Sequence, residues 1–297
     1  MVLQDYLTNR FVRPVRSSPQ DLLAWDALLW MTLPPDFEAI ELSPVAPFGT
    51  VSSLTPLSQD WSVTTSRNTE VISDATNALA LEAAARRARQ LMDPATRAAR
   101  VDLASSHRML RTQRIEEAPG VRQHYRLFAL CSAGRDAGEL RFETESARRH
   151  LKFLLRALRQ YLGPGVPLRV GLVDLAEPSH HALLERDLVE PWEEDLPGVQ
   201  VTWEEPTPEG RAYYRDLRFH IYAQHPKKGE VQLGDAGSVD WSAKLLNNGK
   251  ERMFISGVGS ERLVQLFAPR PSGADLAQAT RTAHPRGSKP RGRRTSR

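Results

Sequence analysis

Leu151, Leu154, Leu155, Leu158 and Leu162 recur at helical spacing, and Gly163-Pro164-Gly165 follows them. This pattern predicts a helix over residues 145–162 with one apolar face and a sharp stop. Ser18-Pro19 opens a second run as an N-cap with proline at the first helical position. That helix is expected to pass through Leu22, Leu23, Leu28 and Leu29 to about Leu33, where Pro34-Pro35 ends it. A third helix over 76–91 sets Leu79, Ala83 and Arg87 on related faces, and Asp93-Pro94 then opens a fourth through about Ala104. Strands are expected at 167–174, 218–223 and 253–258, and a Ser-, Thr- and Pro-rich loop at about 46–62. Strands grouped in runs among helices predict an α+β fold, with a mixed, mainly antiparallel sheet flanked by helices. No internal repeat or heptad pattern is present.

At 297 residues the chain can bury one large core or two modest ones. No run of 18 apolar residues suggests a membrane helix. The N-terminus lacks the apolar stretch of a signal peptide. Cys131 is the single cysteine, so no intrachain disulfide forms, which fits a reducing cytoplasm. A buried structural thiol is the expectation for it.

The high pI comes from one end. Of 40 basic and 36 acidic residues, eight basic and one acidic fall in 268–297, a tail of +7. The remaining 32 and 35 leave the rest about −3. The Pro-, Gly-, Ser- and Arg-rich tail is expected to be disordered. It is either a solubilising terminus or a source of salt-sensitive affinity for RNA phosphates.

The stretch Phe254–Phe267 alternates Gly or Ser with apolar residues and then gives Glu261-Arg262 and an apolar run. It resembles motif 3 of the class II aminoacyl-tRNA synthetases, a glycine-rich strand leading into a helix that carries an arginine. A planar, always charged guanidinium suits ATP, because it stacks on a base or spans phosphate oxygens. Three further blocks resemble the same core in the same order. Phe37-Glu-Ala-Ile-Glu-Leu-Ser-Pro44 resembles motif 1, a strand at a dimer interface. Met109-Leu110-Arg111-Thr112-Gln113 resembles the start of motif 2, with Gln113 in place of the usual Glu. Pro119-Gly120 and then His124–Cys131 would form its loop and second strand. Gly210-Arg-Ala-Tyr213-Tyr214 and Gly234–Trp241 resemble elements of the histidyl-tRNA synthetases and their regulatory paralogue in histidine biosynthesis. The resemblance covers roughly residues 20–268, between an extension at 1–19 and the tail at 269–297.

The resemblance implies a class II catalytic core, a homodimer, and a site for ATP with Mg²⁺ and an amino acid. It places the α-phosphate at Arg111, with Arg126 as a second candidate, and the nucleotide also at Gln113 and Arg262. Ser73-Asp74-Ala75-Thr76 stands where the relatives hold the substrate's ammonium group. Asp74 and Thr76 suit that task by their acceptors, and equally suit a helix N-cap. Tyr213 and Tyr214 are read as alternating across a strand, so at most one faces a pocket. Asp235 and Asp240 are either Mg²⁺ ligands or solvated loop acids. His180-His181 has no partner at metal-ligand spacing and reads as an exposed helical pair.

The departures argue against histidine charging. Glu209 stands where the histidyl enzymes carry an arginine, and loss of such electrostatic help typically costs about 2.7–4 kcal/mol of barrier. Ser238 replaces another arginine, and Leu130 aligns with a glutamine. No anticodon-binding segment follows motif 3. Three readings remain: an adenylate-forming enzyme, a regulatory paralogue without chemistry, and an RNA-interaction protein. No Gly-rich phosphate loop ending in Lys-Ser/Thr and no nucleophile elbow is present.

Overall fold

A computed structural model of the chain describes residues 1–113, 122–176 and 179–267. An eight-stranded sheet forms its centre. Its strands are β1 (Glu38–Ala39), β2 (Val101–Leu110), β3 (His124–Arg135), β4 (Leu168–Asp174), β5 (Val199–Trp203), β6 (Leu217–His225), β7 (Gly229–Val239) and β8 (Glu251–Gly259). The spatial order is β1-β2-β3-β8-β7-β6-β4-β5. Pairing is antiparallel throughout except at the two edges, where β1 joins β2 and β4 joins β5 in parallel. This is the mainly antiparallel α+β sheet that the grouping of strands predicts.

Helices cover both faces. Helix α1 (Pro19–Thr32) is capped by the Ser18 hydroxyl, which accepts from the Asp21 amide, and proline follows at the first turn. Helix α2 (Ala75–Met92) packs on one sheet face, where Leu79 and Ala83 meet Ala129, Cys131 and Ile255. Helix α3 (Arg141–Leu162) packs on the other and begins four residues before the predicted start. There Phe128 touches Trp30 of α1 and Phe153 of α3 at ring separations of 4.9 and 5.8 Å. Cys131 lies fully buried on the α2 face, and burial pushes its thiol up. It is a packed structural thiol.

Four local expectations are corrected. The helix expected after Asp93 is a turn, in which the Asp93 carboxylate caps the Ala95 amide, followed by β2. Strand β2 lies beside the short edge strand β1 and is buried on both faces, so its small and apolar residues hide the alternation that marks a half-exposed strand. The loop expected over 46–62 contains the end of a strand (Val45–Pro47) and a short helix (Thr50–Leu54). Buried Glu70 organises that helix by accepting from the Gly49 and Val51 amides. Tyr213 and Tyr214 do not alternate on a strand. Tyr213 ends helix α4 (Pro208–Tyr213) and Tyr214 is its C-cap. The motif 1 stretch forms only two residues of strand at the sheet edge, extended by the Ile40 amide donating to Ala104. The Pro119-Gly120 turn and the tail at 269–297 lie outside the described residues.

Two features aim the sheet at one place. A bulge at Gln232–Gly234 inserts an extra residue into β7 and turns Leu233 and Asp235 toward the α2 side. Gly237 sits under the Tyr214 ring, and a Cβ there would stand 2.4 Å from that ring. Its lack of a side chain lets Tyr214 lie against the strand.

Candidate functional site

On the α2 side, the sheet, the N-terminus of α2 and helix α4 enclose a cavity of about 690 Å³. Its floor is Tyr125 and Leu127 of β3 with Ile255 and Gly257 of β8. Arg111 and Gln113 follow β2 on one wall, and Asp235 of β7 with Tyr213 and Tyr214 form another. Arg262, in the first turn of α5 (Ser260–Phe267), closes the end where β8 leaves the sheet.

Asp74 caps α2 with one oxygen and turns the other to the cavity. Its Oδ1 accepts from the Thr76 amide at 2.9 Å and the Thr76 hydroxyl at 2.7 Å, capping α2. Its Oδ2 turns to the cavity, where the Arg111 guanidinium donates at 2.7 Å and the Tyr213 hydroxyl lies at 3.5 Å. Arg111 is held further by a bond from Nε to the Ser73 carbonyl at 2.8 Å. Burial opposes the charge on Arg111, but the Tyr125, Asp74 and Tyr213 oxygens around it leave its basicity raised. Burial and the Asp74 charge push the Tyr213 hydroxyl well above its usual range, so it stays a neutral donor. Tyr214 is neutral for the same first reason, and the Arg218 guanidinium lies 5.0 Å from its ring centre.

Arg262 contrasts with the other arginines of this region. Arg108 is bound to Glu261 and Arg126 to Asp26. Among the described residues Arg262 has no carboxylate, and its buried Nε has no hydrogen-bond partner. Burial without a counter-charge holds its basicity below that of an ordinary arginine. The Gln113 side-chain oxygen is likewise buried without a partner. Among the described residues, an arginine without a carboxylate and an amide oxygen without a partner thus both line this cavity.

Not every predicted site residue arrives there. Arg126 points to the opposite sheet face, where its Nη1 meets Asp26 Oδ2 of α1 at 2.7 Å. Strand parity is the reason: Tyr125, Leu127, Ala129 and Cys131 share the α2 face, and even-numbered neighbours take the other. The same parity puts Leu130 in the core behind the sheet, so it is not a cavity residue; Leu127 is the apolar side chain that lines the floor. Asp240 lies outside the cavity, bound to Arg215 and to Lys244 at 2.9 Å. Asp235 is on the wall and faces Arg218 at 3.2 Å. Ser238 is buried and accepts from the Leu217 amide at 3.3 Å. Glu209 is exposed on the first turn of α4, at the cavity rim.

Sequence reasoning missed Arg122, Tyr125 and Arg218, which also line the cavity. The period-2 alternation of β3 carries the signal for Tyr125. Nothing local marks Arg218, whose place follows from the pairing of β6 with β7.

The fold is the class II aminoacyl-tRNA synthetase-like fold. A histidyl-tRNA synthetase from S. aureus superposes with a TM-score of 0.59 at 13% identity, over 84% of this chain and 68% of that one. An ATP phosphoribosyltransferase regulatory subunit/histidyl-tRNA synthetase from Bacillus halodurans gives 0.62 at 12% identity, over 91% and 89%. A cytoplasmic serine-tRNA ligase from Naegleria fowleri, solved in complex with AMP, gives 0.56 at 12% identity, over 86% and 55%. No sequence-family model and no curated protein sequence matches the chain. No helix among the described residues is long and apolar enough to cross a membrane.

Proposed function

We propose that the cavity binds ATP, with an amino acid or a similar amine-bearing carboxylate beside it. The observation that carries this is Arg262, a half-buried guanidinium on the wall without an anion among the described residues. A buried charge without a partner is costly, and a phosphate oxygen relieves that cost. The AMP held by the serine-tRNA ligase of the same fold supports a nucleotide as the anion's carrier. Arg111 lies across the cavity, fixed by Ser73 and Asp74, and is the second phosphate ligand. Gln113 provides an acceptor for a base or ribose donor. Asp74 Oδ2 and the Tyr213 hydroxyl receive the ammonium group.

The protein groups fit Mg²⁺ poorly. Asp235 is engaged by Arg218, and Asp240 lies outside the cavity. A metal carried on ATP would keep phosphate and water as its ligands, as Mg²⁺ commonly does.

In adenylate formation a carboxylate oxygen attacks the α-phosphorus and pyrophosphate leaves. Here Arg111 and Arg262 neutralise phosphate charge, and the rigid sheet orients the two substrates. A second reading, a regulatory paralogue that binds without turnover, is favoured by Glu209. It sets a negative charge on the rim where the resemblance expects a cation. Calorimetry with ATP and each amino acid, then pyrophosphate exchange, tests both. Exchange supports the enzyme, binding without exchange supports the regulator, and no binding at millimolar ATP removes the nucleotide reading.

Charging of histidine tRNA is not expected in either case. The rim carboxylate of Glu209 repels the α-phosphate where the resemblance expects a cation. Histidyl-tRNA formed by the purified protein would overturn this. We place the protein in the cytoplasm as a homodimer joined through the edge at β1. An RNA role rests on the +7 tail, and salt-dependent RNA binding with and without residues 269–297 tests it.

A further inference from the structure

A second cavity of about 430 Å³ is lined by residues preceding α3, at the start of β8 and around the turns flanking β6 and β7. Its chemistry is unlike that of the first. Six carboxylates line it (Asp136, Glu139, Glu143, Asp216, Asp240 and Glu251) against two guanidiniums, those of Arg215 and Arg252. Several are already matched. Glu251 belongs to the buried pair with Arg87, Asp240 to Arg215, and Asp136 to Arg252.

Glu143 is different. It is 1% exposed, one oxygen lies 3.2 Å from Arg252 Nε, and the other has no hydrogen-bond partner among the described residues. Burial pushes its carboxyl up to about 7, with the neighbouring Asp216 and Asp136 charges adding to the shift. His180 lines the same cavity, and among the described residues its buried Nδ1 is also without a partner. A buried acceptor beside a surplus of negative charge selects a cationic donor. A metal ion does not fit, because no three His, Cys, Asp or Glu side chains among the described residues are placed to hold one. The volume admits a molecule of several heavy atoms.

We propose that this second cavity binds a small primary amine, its ammonium group held by the surplus negative charge of Glu143 and Asp216. Asp216 and His180 line the same cavity as Glu143, and Leu140 and Leu183 give it apolar surface for an alkyl part.

Calorimetry of the full chain with putrescine and with methylammonium tests the site. Saturable binding of at least one amine in the millimolar range is expected. Glu143→Gln keeps the shape and removes the charge, and is expected to weaken binding about tenfold or more. Asp216→Asn, at a half-exposed position where folding is not at risk, is expected to weaken it by a smaller factor. Asp74→Asn, in the first cavity, is expected to leave it unchanged. Absence of amine binding overturns the proposal. So does binding that survives both Glu143→Gln and Asp216→Asn, or binding that follows Asp74.

Discussion

Replacing Arg262 with Ala removes a guanidinium that has no carboxylate among the described residues, so folding stability is expected to change little. Affinity for ATP is expected to fall by about 1.5–3 kcal/mol, the scale of a hydrogen bond to a charged group. Arg262→Lys is expected to recover only part of it, because an ammonium neither forks across phosphate oxygens nor stacks. Titration calorimetry of both variants, beside urea melts, checks this. Equal ATP affinity in all three proteins would remove Arg262 from the site. The residue scale is also where the sequence was most and least legible. Arg111, Arg262, Asp74 and Tyr213 converge on one cavity, because each sits at an element end that its motif fixes. Arg126 and Leu130 do not, because a motif match says nothing of parity, and one residue's shift along a strand changes the face. Asp74 shows a further limit. One of its oxygens makes the expected cap, and the other binds Arg111, a partner that no local pattern names.

His150 of α3 ties that helix to two strands at once. Its ring nitrogens meet the Ser132 hydroxyl of β3 at 2.8 Å and the Ser256 hydroxyl of β8 at 2.9 Å. Burial, with Arg149 and Arg100 nearby, holds its pKa well below that of a free histidine. The unfolded chain therefore takes up a proton near pH 6.5 that the folded chain refuses. Stability is fully present above that pH and is expected to fall as pH drops below it. His150→Gln, which retains polar atoms without titrating there, is expected to flatten the loss between pH 7 and pH 5 in urea melts. An identical slope in both proteins would exclude His150 as its source. A second tie joins α2 to β8, where Arg87 and Glu251 pair at 2.8 Å with both side chains fully buried. The remaining Arg87 donors reach Gln90, Ala99 and Arg97. Arg87→Ala is expected to cost about 3–5 kcal/mol, because it leaves the Glu251 charge buried alone. Chemical denaturation measures it, and a loss within experimental error would mean the pair relaxes into water. The helical period put Arg87 on the inner face beside Leu79 and Ala83, but its partner stands 164 residues away and no local pattern names it. Helices α1 and α3 were legible because caps and an apolar stripe agree. Strand β2 was not, because burial on both faces erases alternation.

At the scale of the whole molecule, the sheet has two edges, and they differ in how they are finished. Strand β5 runs five residues at one end, whereas β1 is a two-residue strand with both residues exposed. An open edge offers unpaired backbone donors and acceptors to another chain, and natural sheets shorten or cover such edges. The stretch around β1 is also the one that resembles motif 1, whose place in the resembling family is a two-fold interface. A symmetric contact would let the same patch serve both copies and would cover both edges at once. We expect a homodimer at micromolar concentration in sedimentation experiments. Ala39→Asp, at an exposed position of β1 itself, is expected to shift the distribution toward monomer. Its far-ultraviolet circular dichroism is expected to stay unchanged, which separates a lost interface from a lost fold. The prediction bears on the cavity too. The Val45–Pro47 strand follows this stretch and pairs with Thr69–Val71, which leads directly to Ser73 and Asp74. Dimerisation that steadies that path would also steady the carboxylate facing Arg111. ATP affinity should then decline with dimer dissociation on dilution, and an affinity independent of protein concentration across that transition would uncouple the two.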